Sequence, residues 1–352
     1  MKKTLLALSL LAGFAGAASA QSNVTLFGVM DANLRQIDNG GTKVRQLGTD
    51  GLSSSRLGFR GVEDLGGGLK AGFWLEAALN PDDGGINSSG KFWHRRSTVS
   101  LESSFGEIRL GRDYAPTYTG ISEFDAFGDN GVGKFSNLQS RLTATAAPTA
   151  PGTYAVNTNS RVDNLVQYFL PKNLGGVYGV VAAAPGEGTP GNKYVGGRVG
   201  YLGAGLNVSV SYAETTTNAA EDKYKLGTLA GSYDFGFLRL MGSYTNIELV
   251  SREEKLAILG VTAPVGSGVI RASVGKADLS GGAAGSNTAS NADATLLAVG
   301  YVHNLSKRTA LYGTYSQIDN KGAQTMVVGA TTPGIVGGRK STGIELGLRH
   351  AF

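Results

Sequence analysis

Across residues 341–352, STGIELGLRHAF, Ile344, Leu346, Leu348, His350 and Phe352 hold one parity, and Gly343, Glu345, Gly347, Arg349 and Ala351 hold the other. Successive side chains of a β-strand point to opposite faces, so this segment predicts a strand with one mostly apolar face and one polar face. Similar runs, bounded by Gly, Pro, Asn and Asp, predict sixteen strands: 23–37, 51–64, 67–80, 91–104, 106–113, 160–171, 175–184, 192–203, 206–215, 222–234, 237–249, 253–264, 268–278, 292–304, 308–319 and 341–352. Alternation is clear in some and weak in others. Leu206, Val208, Val210 and Tyr212 alternate with Asn207, Ser209, Ser211 and Ala213, and Val195, Val199 and Tyr201 leave Arg198 on the opposite face.

The connections fall into two sets. Tight breaks occur at 64–67, 105, 171–175, 203–205, 234–236, 264–268 and 304–308, and longer ones at 38–50, 81–90, 114–160, 279–291 and 320–340. An up-and-down barrel inserted from one side predicts that asymmetry, with short turns at one rim and long loops at the other. With an even strand count both ends of the barrel lie at the short-turn rim, where the last strand pairs with the first and removes the sheet edges.

Residues 1–20 read as a cleaved signal peptide: Lys2 and Lys3 are followed by a mostly apolar run from Thr4 to Ala15 and by the small-residue motif Ala18-Ser19-Ala20. The expected mature chain, 21–352, is a single barrel domain. No later run approaches the roughly 20 apolar residues that a spanning helix needs. Mean hydropathy near zero does not exclude a membrane, because a barrel strand needs only every second residue to be apolar. The chain has 54 glycines, 9 prolines and no cysteine, so neither a collagen-like period nor a disulfide framework applies.

Parity also sorts the charges. With Leu57 and Phe59 facing lipid, Arg56 and Arg60 point inward, and with Val99 and Leu101 outward, Arg96 and Glu102 turn inward. Arg95 falls on the outward parity but lies near a strand end, from which it can bend back into the mouth. Glu107 and Arg109 share an inward face, and Arg161 shares parity with Asp163 and Gln167. A charge on the lipid face near the midplane costs roughly 2 to 4 kcal/mol, which favours a wet interior for all of these. They could simply pair and fill a small barrel, but sixteen strands leave an aqueous channel where about eight would not.

Something must then narrow the hole, and the candidate is the loop 114–159. Its stretch 121–129, ISEFDAFGD, mixes Phe124 and Phe127 with the carboxylates of Glu123 and Asp125. Folded inward, it would set acid across from the arginines and create a transverse field. An exposed surface loop is the alternative. Catalytic chemistry finds little support, since His94, His303 and His350 form no triad or metal-ligand spacing and Gly66-Gly67-Gly68 lacks a phosphate-loop lysine. No cofactor, metal or nucleic acid is expected.

The segment from Ser55 to Glu76, SRLGFRGVEDLGGGLKAGFWLE, resembles the second and third strands of Gram-negative general diffusion porins, in particular the beta-proteobacterial branch with anion-selective members. RRSTV at 95–99, GEIRLGR at 106–112, GYVHNLSKRT at 300–309 and the terminal His350-Ala351-Phe352 are similar to further blocks of that family. The resemblance implies an all-β, 16-stranded antiparallel transmembrane barrel in the outer membrane, assembled as a homotrimer, with its long third loop folded into the lumen. Carried over by position, Arg56 matches the first wall arginine, one of Arg95 and Arg96 the second, and Arg161 the third. Glu76 lies on the matching wall strand, and Glu123 and Asp125 fall in the inserted loop. Leu346, Leu348 and Phe352 look like the signal read by the outer-membrane insertion machinery, and outer-membrane lipid and lipopolysaccharide are the expected surroundings. The implied function is passive diffusion of small hydrophilic solutes and ions with anion preference. A channel specific for phosphate or small organic anions, or a barrel acting as adhesin or wall anchor, are the alternatives.

Overall fold

The computed structural model describes residues 23–86, 90–139, 154–281, 292–329 and 334–352, so the signal-peptide segment and parts of four loops lie outside the described residues. Seventeen strand segments form one antiparallel sheet that closes on itself. They are β1 (Asn23–Asn39), β2 (Thr42–Thr49), β3 (Arg56–Gly66), β4 (Leu69–Ala78), β5 (Arg96–Ser103), β6 (Gly106–Tyr114), β7 (Arg161–Phe169), β8 (Val177–Ala184) and β9 (Tyr194–Gly203). The remainder are β10 (Leu206–Thr216), β11 (Lys223–Asp234), β12 (Arg239–Leu249), β13 (Arg252–Val265), β14 (Gly268–Ser280), β15 (Ala292–Asn304), β16 (Thr309–Asn320) and β17 (Lys340–Ala351).

Both β2 and β3 pair with β1, the first opposite residues 32–39 and the second opposite 23–29, so together they make one interrupted stave of a 16-stranded barrel. Closure runs through β1 and β17, from Val29 opposite Ala351 to Asn39 opposite Ser341. Gly28 and Phe352 then exchange backbone hydrogen bonds at 3.1 Å, and a side chain at Gly28 would collide with the Phe352 ring.

Where strands are regular, parity reads correctly. Val208, Val210 and Tyr212 are exposed on the outer face while Ser209, Ser211 and Ala213 are buried, and Leu346 is 63% exposed beside Glu345 at 0%. Three places depart from it. The connection expected at 38–50 is a hairpin: β1 continues to Asn39, Gly40 and Gly41 turn at φ 67° and 107°, and β2 returns. Of the outward positions of β2, Lys43 and Arg45 are polar, near Asp38 at 4.0 Å and Gln36 at 2.8 Å, and only Leu47 is a large apolar residue, so apolar alternation barely marks the strand. Residues 51–55, expected to open the next strand, leave the sheet instead. Finally, β7 bulges where Asn164 adopts φ 54°, so that Val162 and Leu165 are both buried despite opposite parity.

The interior is not uniformly polar. Ile121, Val132, Phe135 and Leu138 of the third long loop pack against Leu226, Ile247, Leu256, Ile258, Leu296 and Ile318, inward residues of β11, β12, β13, β15 and β16. Complete burial of such side chains stabilises by about 1.5–3 kcal/mol each, enough to hold a loop inside a wet barrel. That is also why these strands alternate weakly, since both of their faces are apolar at this height.

Candidate pore constriction

The third loop leaves β6 at Tyr114 and forms the short helix α1 (Pro116–Ser122), with proline in its first turn where no intrahelical donor is needed. This helix rests on the inner wall at β8, β9, β10 and β11. The chain then crosses the inside of the barrel. Phe127 packs beside Met241 and Ala298 with the Arg271 guanidinium 4.7 Å from its ring centre. Farther on, Gly131 N–H donates to the Asp50 carbonyl at 2.8 Å, and Val132 N–H donates to Glu345 Oε1 at 3.2 Å. Gly131 has φ +68°, and a side chain there would strike the Glu345 carboxylate.

Opposite this seat stands a cluster of arginines built by β3 to β7. Arg95 Nε donates to Glu76 Oε1 at 2.6 Å, and its terminal nitrogen reaches the Tyr114 hydroxyl at 3.0 Å. Arg161 donates to the same hydroxyl at 2.7 Å and to the Arg95 carbonyl at 2.9 Å, with its guanidinium 4.3 Å from the Tyr114 ring centre. Arg56 lies 3.8 Å from Glu76 and donates to the Ser54 carbonyl at 2.9 Å. Glu76 also accepts from the Trp74 indole N–H at 3.0 Å. Two guanidiniums thus share one carboxylate, and among the described residues no carboxylate pairs with the third, Arg161. Behind the cluster, burial and then the charges of Arg161, Arg95 and Arg112 push the His94 imidazole down to about 4.

The structure brings Arg56, Arg95, Arg161 and Glu76 together and separates the other expected residues from them. Arg95, not Arg96, is the clustered member of the pair: it precedes β5, where strand parity does not yet apply. Arg96 turns to Asp113 at 3.5 Å and lies over Trp74 at 4.4 Å. Arg60 sits four residues farther along β3, about 13 Å at 3.3 Å per residue, exposed and near Trp74 and Phe27 at 5.2 and 5.4 Å.

The acidic side also differs from expectation. Glu76 belongs to the arginine wall itself. The Glu123 carboxylate is taken up by Arg198 on β9 at 2.7 Å. Asp125 is buried and accepts N–H bonds from Phe127 at 3.1 Å, Asp129 at 2.9 Å and Phe135 at 3.2 Å, so it folds the loop on itself rather than facing the lumen. Burial pushes its carboxyl up to about 6 against those donors. Sequence reasoning did not assign roles to Tyr114, Trp74 or Arg198. Only the last had left a signal, as an arginine on the inward parity of an otherwise clear strand.

An apolar outer face, a charged interior and a loop laid across the inside define a water-filled transmembrane channel. The Gram-negative porin family model matches residues 7–323. Outer membrane porin protein 32 of Delftia acidovorans is 41% identical over the whole length of both chains. The solved anion-selective porin from Comamonas acidovorans is 37% identical with a TM-score of 0.82, covering 94% of this chain and 100% of that one. OmpT of Vibrio cholerae, solved in a trimer form, shares the fold at 15% identity with a TM-score of 0.66, over 94% of this chain and 99% of that one. The chain belongs to the Gram-negative porin family. It is an outer-membrane porin that provides a path for passive diffusion of small hydrophilic solutes, and its relatives are channels rather than enzymes.

Proposed function

We propose that this porin prefers anions, with Arg56, Arg95 and Arg161 as the basic wall of the constriction and Glu76 as the carboxylate paired to it. The observation that carries this is that Arg56, Arg95 and Arg161 converge here while, among the described residues, Glu76 is the one carboxylate that forms a salt bridge with any of them. Arginine keeps its charge at any physiological pH, and its planar fork hands an anion between neighbouring donors. The inserted loop joins this wall through Tyr118, stacked 5.0 Å from Tyr114, while Glu123 is held by Arg198 and Asp125 by backbone donors. The likeness to a porin described as anion-selective agrees with this reading.

The working unit in this reading is a homotrimer, as the trimer form of a fold relative suggests, surrounded by outer-membrane lipid and lipopolysaccharide. Residues 1–20 act as a cleaved signal peptide, residues 21–352 make the barrel, and the loop 114–159 constricts the pore. Phe352, with exposed Leu346 and Leu348, is the signal for the insertion machinery. The chain acts as a channel without catalysis or cofactor. Zero-current potential in a dilute potassium chloride gradient tests the selectivity. Replacing both Arg56 and Arg161 with serine should move it towards cation preference, and an unchanged potential would refute the assignment.

A further inference from the structure

The stave that carries Arg56 is broken, and the break is organised by a single buried carboxylate. On β1, Val29 pairs with Arg56 and Ala32 with Thr49, so Met30 and Asp31 stand opposite the whole segment 50–55, which loops inward. The Asp31 carboxylate is fully buried and accepts the backbone N–H groups of Gly51 at 3.2 Å, Leu52 at 2.9 Å and Ser53 at 2.8 Å. It also accepts the hydroxyl of Tyr312, which reaches from β16 past Gly347 on the intervening strand. On the side of the break, side chains stand in for the missing strand partner of Asp31: Ser55 Oγ accepts its N–H at 2.9 Å, and Ser55 and Thr49 hydroxyls donate to its carbonyl at 3.0 Å each.

This inward segment touches both sides of the constriction. Ser53 Oγ and the Ser54 carbonyl accept from the Arg56 guanidinium at 3.3 and 2.9 Å. The Asp50 carbonyl accepts from Gly131 at 2.8 Å, and Ser54 Oγ donates to Asn130 Oδ1 at 3.2 Å, both on the inserted loop. A carboxylate that collects three N–H donors and a phenol fixes the segment, because each of those buried donors costs free energy if its acceptor is lost.

We propose that Asp31, assisted by Tyr312, is a positioning residue for the constriction, holding Arg56 and the inserted loop in one fixed relation. The inference rests on the reading that Arg56 biases the pore towards anions, and it adds that this bias depends on a residue the permeating ion never meets. In Asp31→Asn one carboxylate oxygen becomes an amide donor facing N–H groups, so the segment loses its seat while the side-chain shape is retained.

The chain has no cysteine, so a Ser54→Cys/Asn130→Cys pair reports the relation directly by oxidative cross-linking of folded barrels. Asp31→Asn should lose most of that cross-linking, and cross-linked Asp31→Asn channels should regain the parent's selectivity until the bond is reduced. Without the cross-link, Asp31→Asn should lower the anion-to-cation permeability ratio by about twofold or more, the least expected of directly coupled groups. It should have no further effect in an Arg56→Ser background. Parental cross-linking in Asp31→Asn, or a selectivity loss that adds in full to that of Arg56→Ser, would overturn the proposal. Should Asp31→Asn fail to fold, Tyr312→Phe removes one donor only and must show the same losses in smaller measure, or the idea falls. Parental selectivity in Arg56→Ser itself would sink the anion reading alone, since the cross-linking arm still decides the positioning role.

Discussion

The balance of charge around Tyr114 allows a test in which two variants must move one quantity in opposite directions. Arg161→Ser removes a cation that has no carboxylate partner among the described residues, whereas Glu76→Gln removes the anion paired with Arg56 and Arg95 while keeping an acceptor for Arg95 and Trp74. At about 5 Å in water, one unit charge changes the energy of a passing monovalent ion by about 0.8 kcal/mol. Screening over a Debye length of about 8 Å leaves about 0.4 kcal/mol at physiological salt, and about 0.7 kcal/mol at 0.01 M, where that length is about 30 Å. Anions and cations shift in opposite senses, so the permeability ratio should change about fourfold at physiological salt and about tenfold in dilute salt. The assay is the zero-current potential of reconstituted channels across a potassium chloride gradient at both strengths. Arg161→Ser should lower anion preference and Glu76→Gln should raise it. If both variants shift the potential in the same direction, field strength at this cluster does not set selectivity and the reasoning fails.

Other expectations follow from the same geometry. Arg198→Ala breaks the contact with Glu123, and because Glu123 is half exposed the loss should be only about 1 kcal/mol of heat stability, with less change in selectivity than Arg161→Ser; a shift in potential as large as that of Arg161→Ser would contradict the placement. His94, pushed down to about 4 by burial and neighbouring arginines, contributes as a neutral group above its ordinary value of about 6.5 and loses that contribution as pH falls towards 4. The parent should therefore lose heat stability relative to His94→Gln between those pH values, and parallel curves would exclude this. Gly131→Ala should unseat the loop, since its left-handed backbone costs a side chain about 1 kcal/mol or more before the clash with Glu345, and unchanged single-channel conductance would argue against that seat. Deleting Phe352 should reduce the amount of barrel recovered from outer membranes far more than the conductance of each inserted channel.

Much of the barrel was legible because lipid outside and water inside impose a period of two on long strands such as β10. The reading failed where the backbone leaves that regime. Arg95 lies one residue before its strand, Asn164 adds a bulge, and residues 50–55 fold inward around Asp31, so parity gave no guidance at those points. Residues of the inserted loop were recognised as a group but not in their pairings. Asp125 and Glu123 are adjacent acids in one short motif, yet one caps backbone donors and the other meets an arginine 75 positions away. Tyr114 gave no signal, because a tyrosine at the end of a strand becomes a hub only when two arginines from distant segments reach it.

The seam between β1 and β17 bears on timing. Arg35 and Glu345, which face each other across it, are 310 residues apart, and Gly28 finds its backbone partner only at Phe352. A ribosome releasing the chain in order presents β1 long before its neighbour exists, and in the meantime one open edge of hydrogen-bonding groups has nothing to pair with. The wall therefore cannot be laid into a bilayer stave by stave as it emerges. Closing the barrel waits for the last strand, so the seam makes commitment to the membrane a single late event.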